Sequence, residues 1–162
     1  MLDFTTTLSV DQTPKEAFDA INNVRGWWSE AVEGGTDRLN DEYIYHYRDI
    51  HYCKMRLIEL VPEQKVVWLV LDNYFKFTTD QSEWIGTKVI FDVSRKDNQT
   101  VIRFTHEGLV PPHECYEICH KAWTGYIQKS LRDLIATGKG QPNVKEDDGF
   151  DVALVEKWRL EK

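Results

Sequence analysis

Between Leu2 and Val10 the chain alternates, with Leu2, Phe4, Thr6, Leu8 and Val10 set against Asp3, Thr5, Thr7 and Ser9. A period of two predicts a strand with one buried face. The next stretch, TPKEAFDAI, predicts a helix. Thr13 can cap it, Pro14 takes its first position, and Glu16 stands where a capping box needs it. Its apolar face, Phe18 and Ile21, is short. Asn22, Asn23 and Gly26 interrupt it, so a kink and a second short helical piece through Trp27 and Trp28 are expected. Gly34 and Gly35 mark a turn. Residues 41–60 are dense in Tyr, Ile and Leu and predict two strands with a bend near 48–50. Pro62 marks another turn, and KVVWLVL (65–71) predicts a strand. Residues 73–85 are less regular, an excursion or a lid.

Val89, Phe91 and Val93 share one face of TKVIFDV, and Ile102, Phe104 and His106 share one face of TVIRFTHEG. Between them KDNQ (96–99) predicts a hairpin turn with Asp-Asn at its tip. From about His113 to Ala136 the period becomes helical. Cys115, Tyr116, Cys119, Ala122, Trp123, Tyr126, Ile127, Ser130 and Leu134 form one stripe, with Glu114, Glu117, Lys121, Thr124 and Arg132 opposite. Gly138 sits where a helix terminator belongs. A run of strands beside few helices predicts an α+β domain, its antiparallel sheet burying the aromatic stripe of the last helix. The expected domain spans 1–138. Residues 139–162 are expected to be a C-terminal extension packed on or near it.

The length, 162 residues, suits one core, and 41% hydrophobic with 29% charged residues is ordinary for a globular chain. A net charge of -7 works against nucleic acid and anionic membranes, so neither is an expected partner. MLDFTTTLSV lacks a basic region followed by an apolar run, and no apolar run approaches the ~20 residues of a membrane span. Three cysteines, an odd count, read as free thiols in a reducing cytoplasm. A cytoplasmic monomer or homodimer is expected.

The segment PPHECYEICHKAW gathers two histidines and two cysteines. At ~100° per residue, Cys115 and Cys119 share a helix face while His113 and His120 lie well away from it. The four groups do not converge, so no metal site is expected. A disulfide four residues apart on one helix is strained. The two cysteines read as small side chains on the buried stripe, or as thiols facing a ligand if that stripe lines a cavity. His106 and His51, the latter on a face with Cys53 and Met55, could serve as a general base near Glu59 or Glu107, or as hydrogen-bonded core histidines. No phosphate loop, dinucleotide fingerprint, Gly-x-Ser-x-Gly or His-Glu-x-x-His is present, and no cofactor is expected. Aromatic residues reach 12% and come from every part of the chain, among them Trp27, Trp28, Tyr43, Tyr45, Tyr47, Trp68, Trp84, Trp123 and Tyr126. Beyond filling a core, rings with polar handles suit the wall of a pocket for a small organic molecule.

Three motifs carry a family resemblance: Trp27-Trp28 after a short capped helix, Gly86-Thr87 opening a strand that pairs with TVIRFTHEGL, and a late helix with Trp123 followed by SLRDLI. Over roughly 2–138 the chain resembles the START-like, SRPBCC superfamily. Within it, the chain is most similar to the branch named for the C-terminal domain of the activator of the heat-shock 90 chaperone ATPase. The resemblance implies a helix-grip fold, a curved antiparallel sheet wrapped around a long C-terminal helix, with two short helices closing one end and a cavity between sheet and helix. Strand parity and the helical stripe then place Phe4, Trp28, Cys53, Met55, Trp68, Phe91, Phe104, His106, Cys115, Cys119, Trp123 and Tyr126 at that cavity. The leading expectation is a binding protein for a small apolar or aromatic ligand. The alternatives are an accessory protein that stimulates a chaperone ATPase through its surface, and a cyclase- or hydrolase-like enzyme using His106 or His51.

Overall fold

The computed structural model describes residues 3–47, 51–76, 78–79, 83–114 and 116–143. The expected bend at 48–50, Cys115, and the extension from 144 onward lie outside the described residues. Seven strands form one antiparallel sheet: β1 (Phe4–Val10), β2 (Glu33–Gly34), β3 (Glu42–Tyr47), β4 (His51–Val61), β5 (Lys65–Phe75), β6 (Lys88–Lys96) and β7 (Gln99–Glu107). Their order is β1-β7-β6-β5-β4-β3-β2. The sheet curves around the last helix, which is the helix-grip arrangement. Two short helices, α1 (Pro14–Asn22) and α2 (Val24–Trp27), follow β1.

Local chemistry accounts for these elements. Thr13 Oγ1 accepts from the Glu16 amide at 3.1 Å and Glu16 Oε1 accepts from the Thr13 amide at 3.3 Å, so the capping box forms in full. In the β6–β7 hairpin Lys96 pairs with Gln99, and Asp97 and Asn98 take φ of 53° and 66°. Two consecutive positive φ values give the primed turn whose twist matches the strands it joins. β1 is an edge strand, and the last helix covers that edge. Gln128 Nε2 donates to the Thr7 carbonyl at 2.9 Å and Arg132 Nη1 donates to the Ser9 carbonyl at 3.1 Å. An edge whose carbonyls are taken is a poor template for pairing with another chain.

Two irregularities shape the site. Along β4 and β5 the register shifts between Lys54 and Met55 and again between Leu57 and Glu59. Met55 pairs with Val70 while Lys54 pairs with Asp72, so Leu71 is the extra residue of a bulge. Inward-facing positions of β5 are therefore even before the bulge (Val66, Trp68, Val70) and odd after it, with Phe75 in the core and Asn73 buried. β5 thus runs four residues beyond the expected 71 and brings a new face inward. The second irregularity is in the last helix. α3 (Tyr116–Gly125) passes into a π-helical stretch (Tyr126–Leu131) and then α4 (Arg132–Thr137) without a break. A π turn inserts residues relative to the α repeat. As a result Leu131 and Ile135 are buried, whereas Leu134 of the expected stripe is only partly so.

The helix ends at Gly138, whose φ of 84° closes it in the left-handed conformation. The chain then folds back as a strap. Gln141 N–H donates to Ser130 Oγ at 2.8 Å, and Ser130 Oγ donates to the Trp27 carbonyl at 2.7 Å. Asn143 N–H donates to the Trp28 carbonyl at 2.9 Å, and the Asn143 carbonyl accepts from Glu30 N–H at 3.0 Å. The first residues past the helix are therefore tied to the segment after α2.

Candidate functional site

The concave face of the sheet is filled at one end and open at the other. At the filled end rings pack on rings. Trp68 stacks at 6.2 Å from Trp27 and 5.8 Å from Trp28, Phe91 meets Phe104 at 5.2 Å, and Phe104 meets Trp123 at 4.7 Å. At the other end a cavity of about 560 Å³ lies between α3 and the ends of β3, β4 and β5. β3 supplies Tyr45 and Tyr47, β4 supplies His51, and the end of β5 supplies Phe75 and Lys76. Trp84 enters from a turn, Trp28 from the end of α2, and Asn143 from the strap. The helix contributes Ile118, Cys119, Ala122, Trp123 and Tyr126.

Of the residues that parity and the helical stripe place at a cavity, Trp28, Cys119, Trp123 and Tyr126 line this one. Phe4, Cys53, Met55, Trp68, Phe91 and Phe104 do not. They belong to the packed core, where rings such as Trp68, Phe91 and Phe104 contact one another. His106 is off the cavity as well, fully buried behind Trp84 and Trp123. The rings Tyr45, Tyr47 and Trp84 stand out in the sequence only as part of an aromatic surplus. Phe75, Lys76 and Asn143 carry no signal there, because a bulge turns the first inward and the strap delivers the last. Residues 73–75 of the suspected lid are strand, and Trp84, in the turn at 83–86, is a wall of the cavity. Residues 77 and 80–82 lie outside the described residues.

Three polar side chains meet at the wall. Asn143 Nδ2 donates to the Tyr126 hydroxyl at 2.8 Å and to the Tyr45 hydroxyl at 3.1 Å, and the two hydroxyl oxygens are 3.4 Å apart. Tyr45 also stacks on Trp28 at 4.0 Å. Burial, and then the neighbouring Tyr126, hold the Tyr45 hydroxyl well above the usual phenol range, so it stays protonated. Next to Tyr45, with ring centroids 5.4 Å apart, His51 has Nε2 2.9 Å from Asn73 Oδ1, and its ring stacks on Phe75 at 4.3 Å and meets the edge of Trp84 at 4.7 Å.

His106 works behind the wall. Trp123 Nε1–H donates to His106 Nδ1 at 3.1 Å, which makes Nδ1 the acceptor and leaves the proton on Nε2. His106 Nε2–H then donates to Thr87 Oγ1 at 2.8 Å, and Thr87 Oγ1 donates to the Trp84 carbonyl at 2.5 Å. Burial, helped by His51 and His113, lowers the His106 pKa to about 3. The ring is neutral with both nitrogens engaged, which suits a strut that orients two indoles and not a general base.

His113 precedes the helix, and His120 is half-buried on it, tilted at 5.9 Å from Phe4 and stacked at 5.2 Å on Tyr116. Among the described residues, no group of three or more His, Cys, Asp or Glu side chains is placed to hold a metal ion. Nor is any helix among them long and apolar enough to cross a membrane.

No family model and no curated protein matches the chain. Solved structures do. The Aha1 dimer from Colwellia psychrerythraea, known in solution, is 20% identical with a TM-score of 0.69, over 86% of this chain and 100% of that one. DynU16, from the dynemicin biosynthetic locus, is 12% identical with a TM-score of 0.62, over 84% of this chain and 48% of that one. Protein MLL2253 from Mesorhizobium loti is 11% identical with a TM-score of 0.64, over 82% and 96%. The chain has the START-like helix-grip fold, which it shares with Aha1.

Proposed function

We propose that the protein binds a small apolar or aromatic molecule between the last helix and the open end of the sheet. One observation carries this reading: a cavity of about 560 Å³ walled by Trp28, Tyr45, Phe75, Trp84 and Trp123 beside a ring-filled core. That volume falls in the range of small-molecule sites, roughly 300–1,000 Å³, and a mostly apolar wall with a few convergent polar groups is their usual make-up. Burial of ligand carbon supplies affinity at ~25 cal/mol per Å².

Anilinonaphthalene sulfonate, titrated against the intrinsic fluorescence, tests the proposal. Trp28, Trp84 and Trp123 line the cavity, so their emission is quenched as the dye enters, and saturating dye raises the melting temperature. Ala122→Trp fills the cavity from an exposed helix position and abolishes both effects. Dye binding that is unchanged in Ala122→Trp would place the dye elsewhere and sink the reading.

The enzymatic alternative loses His106, which is neutral, engaged at both nitrogens and off the cavity. A surface role as a chaperone accessory draws support from the fold likeness to Aha1. Failure of the purified protein to stimulate a chaperone ATPase would remove it.

A further inference from the structure

The last described residue, Asn143, stands on the cavity wall. Its N–H donates to the Trp28 carbonyl at 2.9 Å and its carbonyl accepts from Glu30 N–H at 3.0 Å, so the chain leaves from a fixed point beside the cavity. Residues 144–162 lie outside the described residues, but their sequence has two parts. VKEDDGFD (144–151) carries five charged side chains among eight. VALVEKWRL (152–160) is apolar at six of nine positions, with Leu154 and Trp158 its bulkiest apolar side chains. A charged spacer followed by an apolar cluster is the make-up of a ligand on a tether. The cavity mouth offers that cluster a place. Ile118 borders the cavity and is 55% exposed, one of three large hydrophobic side chains in that state among the described residues. Ala122, four residues on and exposed as well, borders the same cavity. Residues four apart share a helix face, so the two form an apolar lip on α3. Exposed apolar surface continuous with an apolar cavity marks a contact site.

We infer that residues 152–160 dock on the Ile118–Ala122 lip, with Trp158 as their anchor, and compete with the ligand for the cavity. The inference rests on the cavity reading above and adds the regulation of that site. Reach is no obstacle. The spacer can extend roughly 30 Å, and it starts at a residue that borders the same cavity as Ile118. A large ring gains most where it is fully desolvated, which sets Trp158 at the centre of the contact. The tether makes a weak contact sufficient. A short linker holds its segment at an effective concentration on the order of 1 mM, so an intrinsic dissociation constant of about 0.25 mM keeps it docked about four-fifths of the time. A ligand that needs the undocked state then binds about fivefold more weakly than the open cavity would allow.

Anilinonaphthalene sulfonate, followed by its own emission so that loss of a tryptophan does not enter the signal, tests this on the full chain. Trp158→Ser binds the dye about fivefold more tightly than wild type, and Leu154→Ser about twofold. The two variants are separate, so a folding defect in one leaves the other to decide. A synthetic peptide of residues 150–162, added at about 1 mM to Trp158→Ser, returns dye affinity to the wild-type value. Ala122→Trp combined with Trp158→Ser binds neither dye nor peptide. Dye affinity that is unchanged or weaker in both tail variants overturns the inference and leaves the cavity reading standing, as does a peptide that fails to displace dye from Trp158→Ser. Dye that binds neither wild type nor the tail variants overturns the cavity reading and the inference with it.

Discussion

Trp123 and His106 are joined by an indole N–H donated to imidazole Nδ1 at 3.1 Å, so the sheet's last strand and the last helix share one buried polar contact. The contact fixes the tautomer of His106 and the tilt of Trp123. Through Thr87 it reaches the Trp84 carbonyl, so both indoles on this side of the cavity hang from one histidine. A protonated His106 would have no lone pair for Trp123, and its charge would sit where no described carboxylate contacts it.

This arrangement makes stability depend on pH. The His106 pKa falls from its ordinary 6.5 to about 3 in the folded protein. Between those values the unfolded chain binds a proton that the folded chain does not, so unfolding becomes easier as pH falls. Stability is full above pH 6.5, is lost progressively down to about pH 3, and is flat below. The loss is on the order of 5 kcal/mol over that window. Urea denaturation of wild type and His106→Gln at pH 7, 5.5 and 4 checks it. The difference between the two proteins shrinks as pH falls, because glutamine offers a donor and an acceptor but does not titrate. A constant difference would show that His106 protonates normally in the fold.

The middle of the relay gives a second prediction. Thr87→Val keeps the shape and removes the oxygen, leaving His106 Nε2–H buried without an acceptor. A stranded buried donor costs about 1–3 kcal/mol. Thr87→Ser restores the oxygen and is expected to recover most of that. Denaturant midpoints for the pair separate loss of the hydroxyl from loss of the methyl group. Equal destabilisation by both substitutions would assign the effect to packing.

How far the sequence discloses this molecule depends on whether a feature obeys a regular period. The capping box at Thr13 and Glu16, the alternation of Val89, Phe91 and Val93, and the Asp97-Asn98 turn are local, and each forms as its pattern predicts. The cavity is built where periods fail. Parity along β5 points Trp68 inward correctly, but the bulge at Leu71 reverses it, so Phe75 and Asn73 are unreadable from alternation. A regular α repeat carries the stripe from Cys119 through Tyr126, and the π turn then moves burial from Leu134 to Leu131 and Ile135. Asn143 follows the helix in a stretch with no period at all. Its role depends on a backbone return that only tertiary contacts specify. Composition told of too many rings for a core, but not which rings were left over.

The β6–β7 turn yields a stabilising substitution. Asn98 holds φ of 66°, a conformation that asparagine tolerates and glycine adopts without cost. Asn98→Gly is expected to raise stability by roughly 0.5 kcal/mol, the primed turn's preference for glycine outweighing the added freedom of the unfolded chain. A rise in melting temperature with unchanged dye binding is the expected result, since the turn is remote from the cavity lining. A fall would mean that the Asn98 side chain contributes more than its backbone strain takes away.

Gly140 connects stability to the site. A Cβ at this position would lie 2.5 Å from the Gly26 carbonyl oxygen and 2.8 Å from the Ser130 carbonyl oxygen, both backbone atoms that cannot rotate aside. Gly140→Ala therefore lifts the strap from α2 and the π-helical stretch, at a cost of about 1–3 kcal/mol. The strap's other ties, Gln141 N–H to Ser130 Oγ and Asn143 N–H to the Trp28 carbonyl, lengthen together, because they lie within three residues of the clash. Asn143 then leaves the two tyrosines. Gly140→Ala is thus expected to open the cavity wall at Asn143, weakening the binding of anilinonaphthalene sulfonate as it lowers stability. Dye titration beside a denaturation curve tests both halves. A variant that is destabilised but binds the dye unchanged would show that the carboxamide keeps its place without the strap's close approach at Gly140.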